Sequence, residues 1–536
     1  MAEFGTLNWS ILLVYIAVNL YIGYLLGKKV DSADDFFLGD RSTPWWAIGI
    51  SVLGTYVSAL TFLGAPAWAY TDGLSVIAIH LNYPLVILVV ITFFLPFFFN
   101  SGVASIYEYQ ERRFGPTSRT VIASIFLVSQ ALTSAAVLYA TALVLEFITG
   151  VKVEYAIVIV TAIALIYTAM GGITAVIWTD VIQAAILLIG GGIIFYALIT
   201  QMPSSLGDTL AELKAQGLTR ALDFSPDITK VTTIWSGVLA MTIFHITVYG
   251  TNQMMVQRTL AAKNIGDAKK SFLFMGFGAF FIYFLFVFLG ILFYSYYGGR
   301  EFENGNTIIL TFAAEYGLPG LMGIIAAAVM AASMSSLDSA FNSMATVSTV
   351  DFYQRYFKPD ASSEDCLRMS RIFTFVWAAA IILPAILFSR SEGSILEVLS
   401  KIGSYFVGAK LSMYTLGFFS KHTTERGLMV GIVVGFVAIW FVATQTDIAW
   451  PWYCAIGASV NMVVSWGCSL LIDGKQSEYS PYTVKGQLLA FQRDGGDAKD
   501  GGWHTIPGRV DSVCYALVGF FLFCLAFLYG FDALIG

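Results

Sequence analysis

Charge is scarce in this sequence. Asp, Glu, Lys and Arg make up only 12% of the 536 residues, about half the roughly 25% of soluble domains. That deficit excludes an ordinary soluble enzyme, a nucleic-acid binder and a disordered chain. Histidine is limited to four residues and cysteine to five. Cys366, Cys454, Cys468, Cys514 and Cys524 form no CxxC pair and no metal-ligand spacing, so they read as small hydrophobes. No Walker motif, dinucleotide fingerprint or metalloprotease motif occurs. The first apolar stretch lacks a basic n-region and a small-residue cleavage site, so no cleavable signal peptide is expected. The net charge of −6 says little, because placement matters more than the sum in such a chain.

Apolar length is what the sequence has in abundance. It is 57% hydrophobic and 15% aromatic, with a mean hydropathy of +0.75. A helix of about 20 apolar residues spans a bilayer. Fourteen segments reach that length, at 8–27, 44–71, 74–100, 119–147, 152–171, 173–201, 232–252, 271–297, 318–349, 367–388, 394–420, 425–444, 449–472 and 512–534. The runs are continuous rather than alternating, which excludes a β-barrel. The expectation is an all-α polytopic membrane protein with about 14 transmembrane helices in a lipid bilayer.

Lysine and arginine set the orientation. Twenty-one of the 29 fall in loops after odd-numbered spans, six in the other loops, and Lys401 and Lys410 lie inside a span. Both termini are therefore expected outside the inner (plasma) membrane. Loops 202–231 and 298–317 face outside, each with room for a short helix. Loop 473–511 faces inside and reads as Gly- and Asp-rich and flexible. None is long enough for a catalytic domain, so an enzyme is not expected.

Polar groups at membrane depth are costly and mark function by default. On the ninth span Ser335, Asp338, Ser339 and Asn342 follow i, i+3, i+4, i+7 spacing and share one helical face, with Ser336 beside it. Close helix packing accounts for the serines, but not for Asp338, which costs about 3 kcal/mol at mid-membrane. Asp180 is a second intramembrane carboxylate, either an ion ligand or a hydrated group near the cytoplasmic end of its helix. Hydroxyl and carboxylate oxygens suit a small hard cation. The second span carries Gly54, Gly64 and Pro66. Irregular backbone there survives only in protein or along a cavity; it would free carbonyls near Gly54 and Val57 and turn Ser58 and Thr61 to the same space. A simple proline kink is the plainer alternative. The seventh span ends in His245-Ile246-Thr247-Val248-Tyr249-Gly250-Thr251-Asn252-Gln253. Two interrupted helices five spans apart point to inverted repeats. The repeats would be residues 44–201 and 232–420, preceded by 1–43, separated by the outer loop 202–231 and followed by 421–536.

Three runs then carry a family resemblance. They are Gly171-Gly172 with Ala175-Val176-Ile177-Trp178-Thr179-Asp180-Val181-Ile182-Gln183; Asn252-Gln253 with Val256-Gln257-Arg258-Thr259-Leu260-Ala261-Ala262-Lys263; and Ser335-Ser336-Leu337 with Asn342-Ser343-Met344-Ala345-Thr346. The chain resembles the sodium–solute symporter family, with its LeuT-type fold of two inverted five-helix repeats, and most closely the sugar and sialic-acid branch. The resemblance implies a Na+ site made of the carbonyls of Gly54, Val57 and Ala332 and the hydroxyls of Ser335 and Ser336. It also implies a second cation region at Asp180, Ser335, Asp338 and Ser339. Asp338 stands where relatives often have a small or hydroxyl residue, so it either strengthens a cation site or binds a proton. The implied solute site is lined by Ser58, Thr61, His80, Asn252, Gln253 and groups on the eleventh span.

The chain departs from the resemblance there. His80 falls where sugar carriers place a glutamate, no arginine lies near Thr133, and Gly408-Ala409-Lys410-Leu411-Ser412 replaces a Gly-Pro run. Lys410 either grips a substrate carboxylate, pairs with an acid such as Asp338, or snorkels to an edge. The expected function is sodium-coupled import of a sugar or sugar acid by alternating access. A sodium- or proton-coupled carrier of a monocarboxylate or vitamin is the near alternative. A channel or membrane sensor is the distant one, since neither a continuous polar stripe nor a signalling domain is present.

Overall fold

The computed structural model describes residues 4–27, 32–39, 41–101, 105–390, 394–494 and 499–535. Among them, ten helices are long and apolar enough to cross a membrane, including Gly5–Leu25, Pro116–Thr149, Ile265–Tyr296 and Val513–Leu534. This differs from the fourteen segments of the sequence for identifiable reasons. The second segment is broken into the helices Trp45–Tyr56 and Ala65–Asp72, and the apolar helix of the seventh is only Ser236–Gly250, with the separate short helix Gln253–Leu260 after it. Glu397, Lys401 and Lys410 make the helix Ile395–Phe419 too charged to pass as a simple apolar span.

The packing inverts the pattern of a soluble protein. Leu13 and Val14 near one end of the chain, Val433, Trp440 and Phe441, and Tyr515, Leu522 and Phe523 near the other point outward, as side chains bathed in hydrocarbon do. The helix Leu321–Val347 is buried almost along its whole length and packs against Trp45–Tyr56, Pro116–Thr149 and Val153–Gln201. The polar face on this helix is therefore enclosed by protein on every side. Close approach between outer helices uses small residues: a Cβ at Gly431 would stand 1.9 Å from Ser465 Oγ on Pro451–Ile472.

Val153–Gln201 runs through the fifth and sixth segments but breaks helical geometry at Gly172, with φ 56° and ψ −169°. Only glycine adopts this conformation readily. A Cβ there would also lie 3.0 Å from Phe36 Cα. Gly172→Ala is expected to lower stability by about 1–3 kcal/mol, read as an earlier thermal unfolding transition in detergent.

Loop 473–511 is folded rather than loose in its described part. It forms the helix Val484–Asp494 and a short hairpin pairing Lys499–Asp500 with Trp503–His504. Asp511 pairs with buried Lys269 at 2.6 Å, and Asn100 donates to the Thr505 carbonyl at 2.9 Å. Residues 495–498 lie outside the described residues.

Candidate ion and solute sites

The first feature is the break in the second span. Trp45–Tyr56 ends at Val57, whose φ of −79° and ψ of 83° leave the helical region. Ser58 then starts a wide π-helical turn at Leu60–Gly64, where its Oγ accepts the Leu60 N–H at 3.2 Å. The end of a helix frees carbonyls. One of them, on Thr55, accepts a hydrogen bond from Ser336 Oγ at 2.8 Å, and the same hydroxyl lies 3.3 Å from the Ala332 carbonyl. Gly54, Val57, Ala332, Ser335 and Ser336 are all buried where these two helices meet.

Asp180 is the hub of a second cluster directly below. Its Oδ1 accepts from Ser335 Oγ at 2.5 Å. Its Oδ2 accepts from Ser51 Oγ, from Thr55 Oγ1 at 3.1 Å and from Arg258 Nη2 at 3.3 Å. Arg258 is wholly buried. Its remaining donors reach Ser51 Oγ at 2.8 Å, the Met254 carbonyl and Ser339 Oγ. Asp338 Oδ1 accepts from the Ser339 N–H at 2.6 Å and from Ser339 Oγ at 3.2 Å. Its Oδ2 is buried without a hydrogen-bond partner. Asp180 directly, and Asp338 through Ser339, thus share one guanidinium among the hydroxyls of Ser51, Thr55, Ser335 and Ser339. Hydroxyl and carboxylate oxygens of this kind suit a small hard cation.

Arg258 and Ser51 are the residues that sequence reasoning missed. Arg258 counts as a cytoplasmic loop cation by position, yet it sits inside on the short helix Gln253–Leu260, every residue of which is buried. Asn342 shares the polar face of Ser335 but leaves the cluster. Its Oδ1 accepts from Gln257 Nε2 at 3.1 Å, and the same amide reaches the Phe37 carbonyl at 2.6 Å.

A cavity of about 110 Å³ lies above the break. Ser58, Thr61, His80, Asn252 and Lys410 all border it, joined by Ser129 and Gln130. Thr55 and Ser336 border it too, so the contact between these two residues at the helix break is also part of the cavity wall. His80 stacks on Tyr283 with ring centres 3.6 Å apart, and its Nδ1 lies 3.0 Å from Tyr83 Oη. Its Nε2 has no hydrogen-bond partner. Behind it, His245 joins Asn82 Oδ1 at 2.7 Å and Tyr56 Oη at 2.9 Å. Asn252 donates to Gln130 Oε1 at 3.3 Å and caps the following helix at the Met254 N–H. Gln253 does not border the cavity; its Oε1 accepts the Ile106 N–H at 3.0 Å. Lys410 is neither paired with Asp338 nor extended to an edge. Its Nζ donates to Ser129 Oγ at 3.1 Å within the cavity wall.

The sequence profile of the sodium:solute symporter family matches residues 36–435. The chain belongs to this family. It is 29% identical to the sodium/sialic acid symporter SiaT of Proteus mirabilis, over 86% of this chain and 94% of that one. It is also 29% identical to the sodium/glucose cotransporter of Vibrio parahaemolyticus, over 78% and 82%. Sodium-coupled monocarboxylate transporter 1 of Mus musculus is similar as well, at 29% over 80% and 71%. Among solved structures, a substrate-bound, outward-open Na+-coupled sialic acid symporter superposes with a TM-score of 0.81 at 28% identity, covering 89% of this chain and all of that one. A transporter of the nucleobase-cation-symport-1 family gives 0.54 at 14% identity, a likeness of fold alone. The symporter is thus a LeuT-like membrane transporter, not an enzyme, and its coupling ion is sodium.

The end of the symporter opposite loop 298–317 is closed by charge. Arg119 Nε pairs with buried Asp351 at 2.6 Å and Arg119 Nη1 with Glu111 at 2.9 Å, while Arg355 also pairs with Glu111. Ser105 Oγ adds a bond to Asp351 at 2.6 Å. Hydrogen bonding from Arg355, with Arg119 beside it, holds the Glu111 carboxyl below its ordinary value of 4.5. A carboxyl lowered on folding contributes stability above its ordinary pKa and loses it as the pH falls through the lowered one. Protonation of Glu111 therefore leaves the network unweakened at neutral pH and loosens it only as the pH falls into the acid range.

Proposed function

We propose that this symporter imports a small sugar or sugar acid together with sodium by alternating access. The observation that carries the reading is the double position of Thr55 and Ser336, which border the solute cavity while bonding to each other across the two helices that frame the sodium site. Sodium takes the carbonyls of Gly54, Val57 and Ala332 and the hydroxyls of Ser335 and Ser336. It draws Trp45–Tyr56 onto Leu321–Val347, and this fixes the wall on which solute binds. Solute bound against Ser58, Thr61, His80 and Asn252 closes the outer side. Rocking of the bundle then breaks the Arg119–Asp351–Glu111–Arg355 closure, and sodium leaves past Asp180.

The frame for this motion is a pair of inverted repeats, residues 44–201 and 232–420, within fourteen spans. Both termini face outside the plasma membrane, and loops 202–231 and 298–317 lie on that side. Each sodium carried inward across 100 mV gains about 2.3 kcal/mol, enough for roughly 50-fold accumulation from voltage alone. A second cation at Asp180, Ser335, Asp338 and Ser339 would square that factor. The unpartnered Asp338 Oδ2 favours an ion or a proton there.

Two tests follow. In proteoliposomes offered a panel of labelled hexoses, sialic acid and short monocarboxylates, uptake of whichever solute is accepted is expected only with an inward sodium gradient. Uptake driven by a proton gradient alone contradicts the sodium assignment. Glu111→Gln loosens the inner closure, and a partly exposed pair of this kind sets a modest scale: solute efflux from preloaded vesicles is expected to rise about two- to fivefold.

A further inference from the structure

The cavity holds one charged side chain. Its wall carries hydroxyls, amides, two imidazoles, two tyrosines and apolar groups, but no aspartate or glutamate, and Lys410 is its single lysine or arginine. Lys410 projects from Ile395–Phe419, is 7% exposed, and makes no ion pair among the described residues. An ammonium offers three donors, and the bond to Ser129 Oγ at 3.1 Å employs one of them. A buried charge without a counter-charge costs several kcal/mol, so the protein keeps this arrangement only if something else completes it. A neutral sugar supplies acceptors but no charge. A carboxylate supplies both.

We propose that the symporter's substrate is an organic monoanion whose carboxylate docks on Lys410 Nζ and Ser129 Oγ. This rests on the sodium-symport reading and narrows it from any small polar solute to acids. A second lining residue sets a further requirement. His80 is buried and held flat against Tyr283, with its Nε2 unpartnered. That nitrogen takes a hydroxyl or carbonyl of the anion, as donor or acceptor according to its tautomer. Gln130 and Asn252 are already bonded to each other at 3.3 Å and line the same cavity as adaptable amides. The substrate class is therefore a hydroxylated or acylated carboxylic acid, such as a sugar acid, rather than a hexose.

The experiment uses the full chain in proteoliposomes with an inward sodium gradient. The labelled probes are N-acetylneuraminate, lactate and pantothenate as anions, with glucose and galactose as neutral counterparts. At least one anion is expected to be taken up and both hexoses refused. Lys410→Met is expected to weaken the apparent affinity for the accepted anion by about 100-fold, the scale for removing one partner of a buried charge pair. Lys410→Arg is expected to stay within about tenfold of the parent. Sodium-dependent thermal stabilisation without solute reports on the folded ion site and is expected to persist in Lys410→Met. Should that variant fail to fold, Ser129→Ala, which keeps the charge, is expected to weaken the anion about tenfold. Uptake of hexoses alone, uptake of none of the anions, or an anion affinity indifferent to both variants overturns the proposal. Failure of the underlying symport reading looks different: the parent protein then shows solute uptake without sodium dependence and no stabilisation by sodium.

Discussion

Ser335→Ala is expected to raise the sodium concentration for half-maximal uptake by about 10- to 100-fold. The hydroxyl has two duties in this arrangement. It is one of the sodium ligands proposed on Leu321–Val347, and it donates to Asp180 Oδ1 at 2.5 Å. A hydrogen bond to a charged group contributes about 1.5–3 kcal/mol, which converts to that range of affinity. The loss is specific to the ion: at saturating sodium the variant recovers most of its solute affinity, because Ser335 does not border the solute cavity. Sodium titration of uptake at fixed solute checks this. An unchanged sodium midpoint, with solute affinity reduced instead, removes Ser335 from the ion site.

Arg258→Met acts on stability instead. Arg258 is the cation paired with Asp180, and both are wholly buried. Asp338 shares the cluster through Ser339. Removing one partner of a buried ion pair leaves an uncompensated charge and costs about 3–5 kcal/mol, here with a second carboxylate close by. The variant is expected to melt well below the parent in detergent. Adding Asp180→Asn removes the excess charge and is expected to restore most of the loss, since buried pairs replaced as a unit are close to neutral. The double variant remains defective in sodium coupling, because the carboxylate is gone. Additive destabilisation in the double variant contradicts a direct pair. Thermal melts of the four proteins in one sodium concentration give the cycle.

Much of the candidate ion site was legible because it is local. Ser335, Asp338 and Ser339 fall on one face by helical periodicity, and a carboxylate in an apolar run is conspicuous. The break near Gly54 and Val57 was legible for the same reason, since Gly and Pro interrupt an otherwise apolar span. Long-range pairing was not legible. Arg258 follows a polar run and reads as a loop cation until the chain folds back over Asp180. Ser51 looks like one small residue among many, although it accepts from Arg258 and donates to Asp180. Ser129 and Lys410 are joined across 281 positions, and nothing in either neighbourhood announces the other. Gln253 was placed at the solute by its proximity to Asn252, but the helix that Asn252 caps turns its side chain toward Ile106. Loop 473–511 looked loose because it is rich in glycine and aspartate, yet the Lys269–Asp511 pair ties its end down.

The central claim is that solute and sodium cross together, and simultaneous flux tests it most directly. Vesicles bearing the symporter receive radioactive sodium and a labelled solute from the accepted class, and both are counted from the same samples. The account predicts that solute increases sodium entry in a fixed molar ratio, with the two fluxes falling together in Ser335→Ala. Solute entry with no accompanying sodium, or sodium entry indifferent to solute, contradicts it.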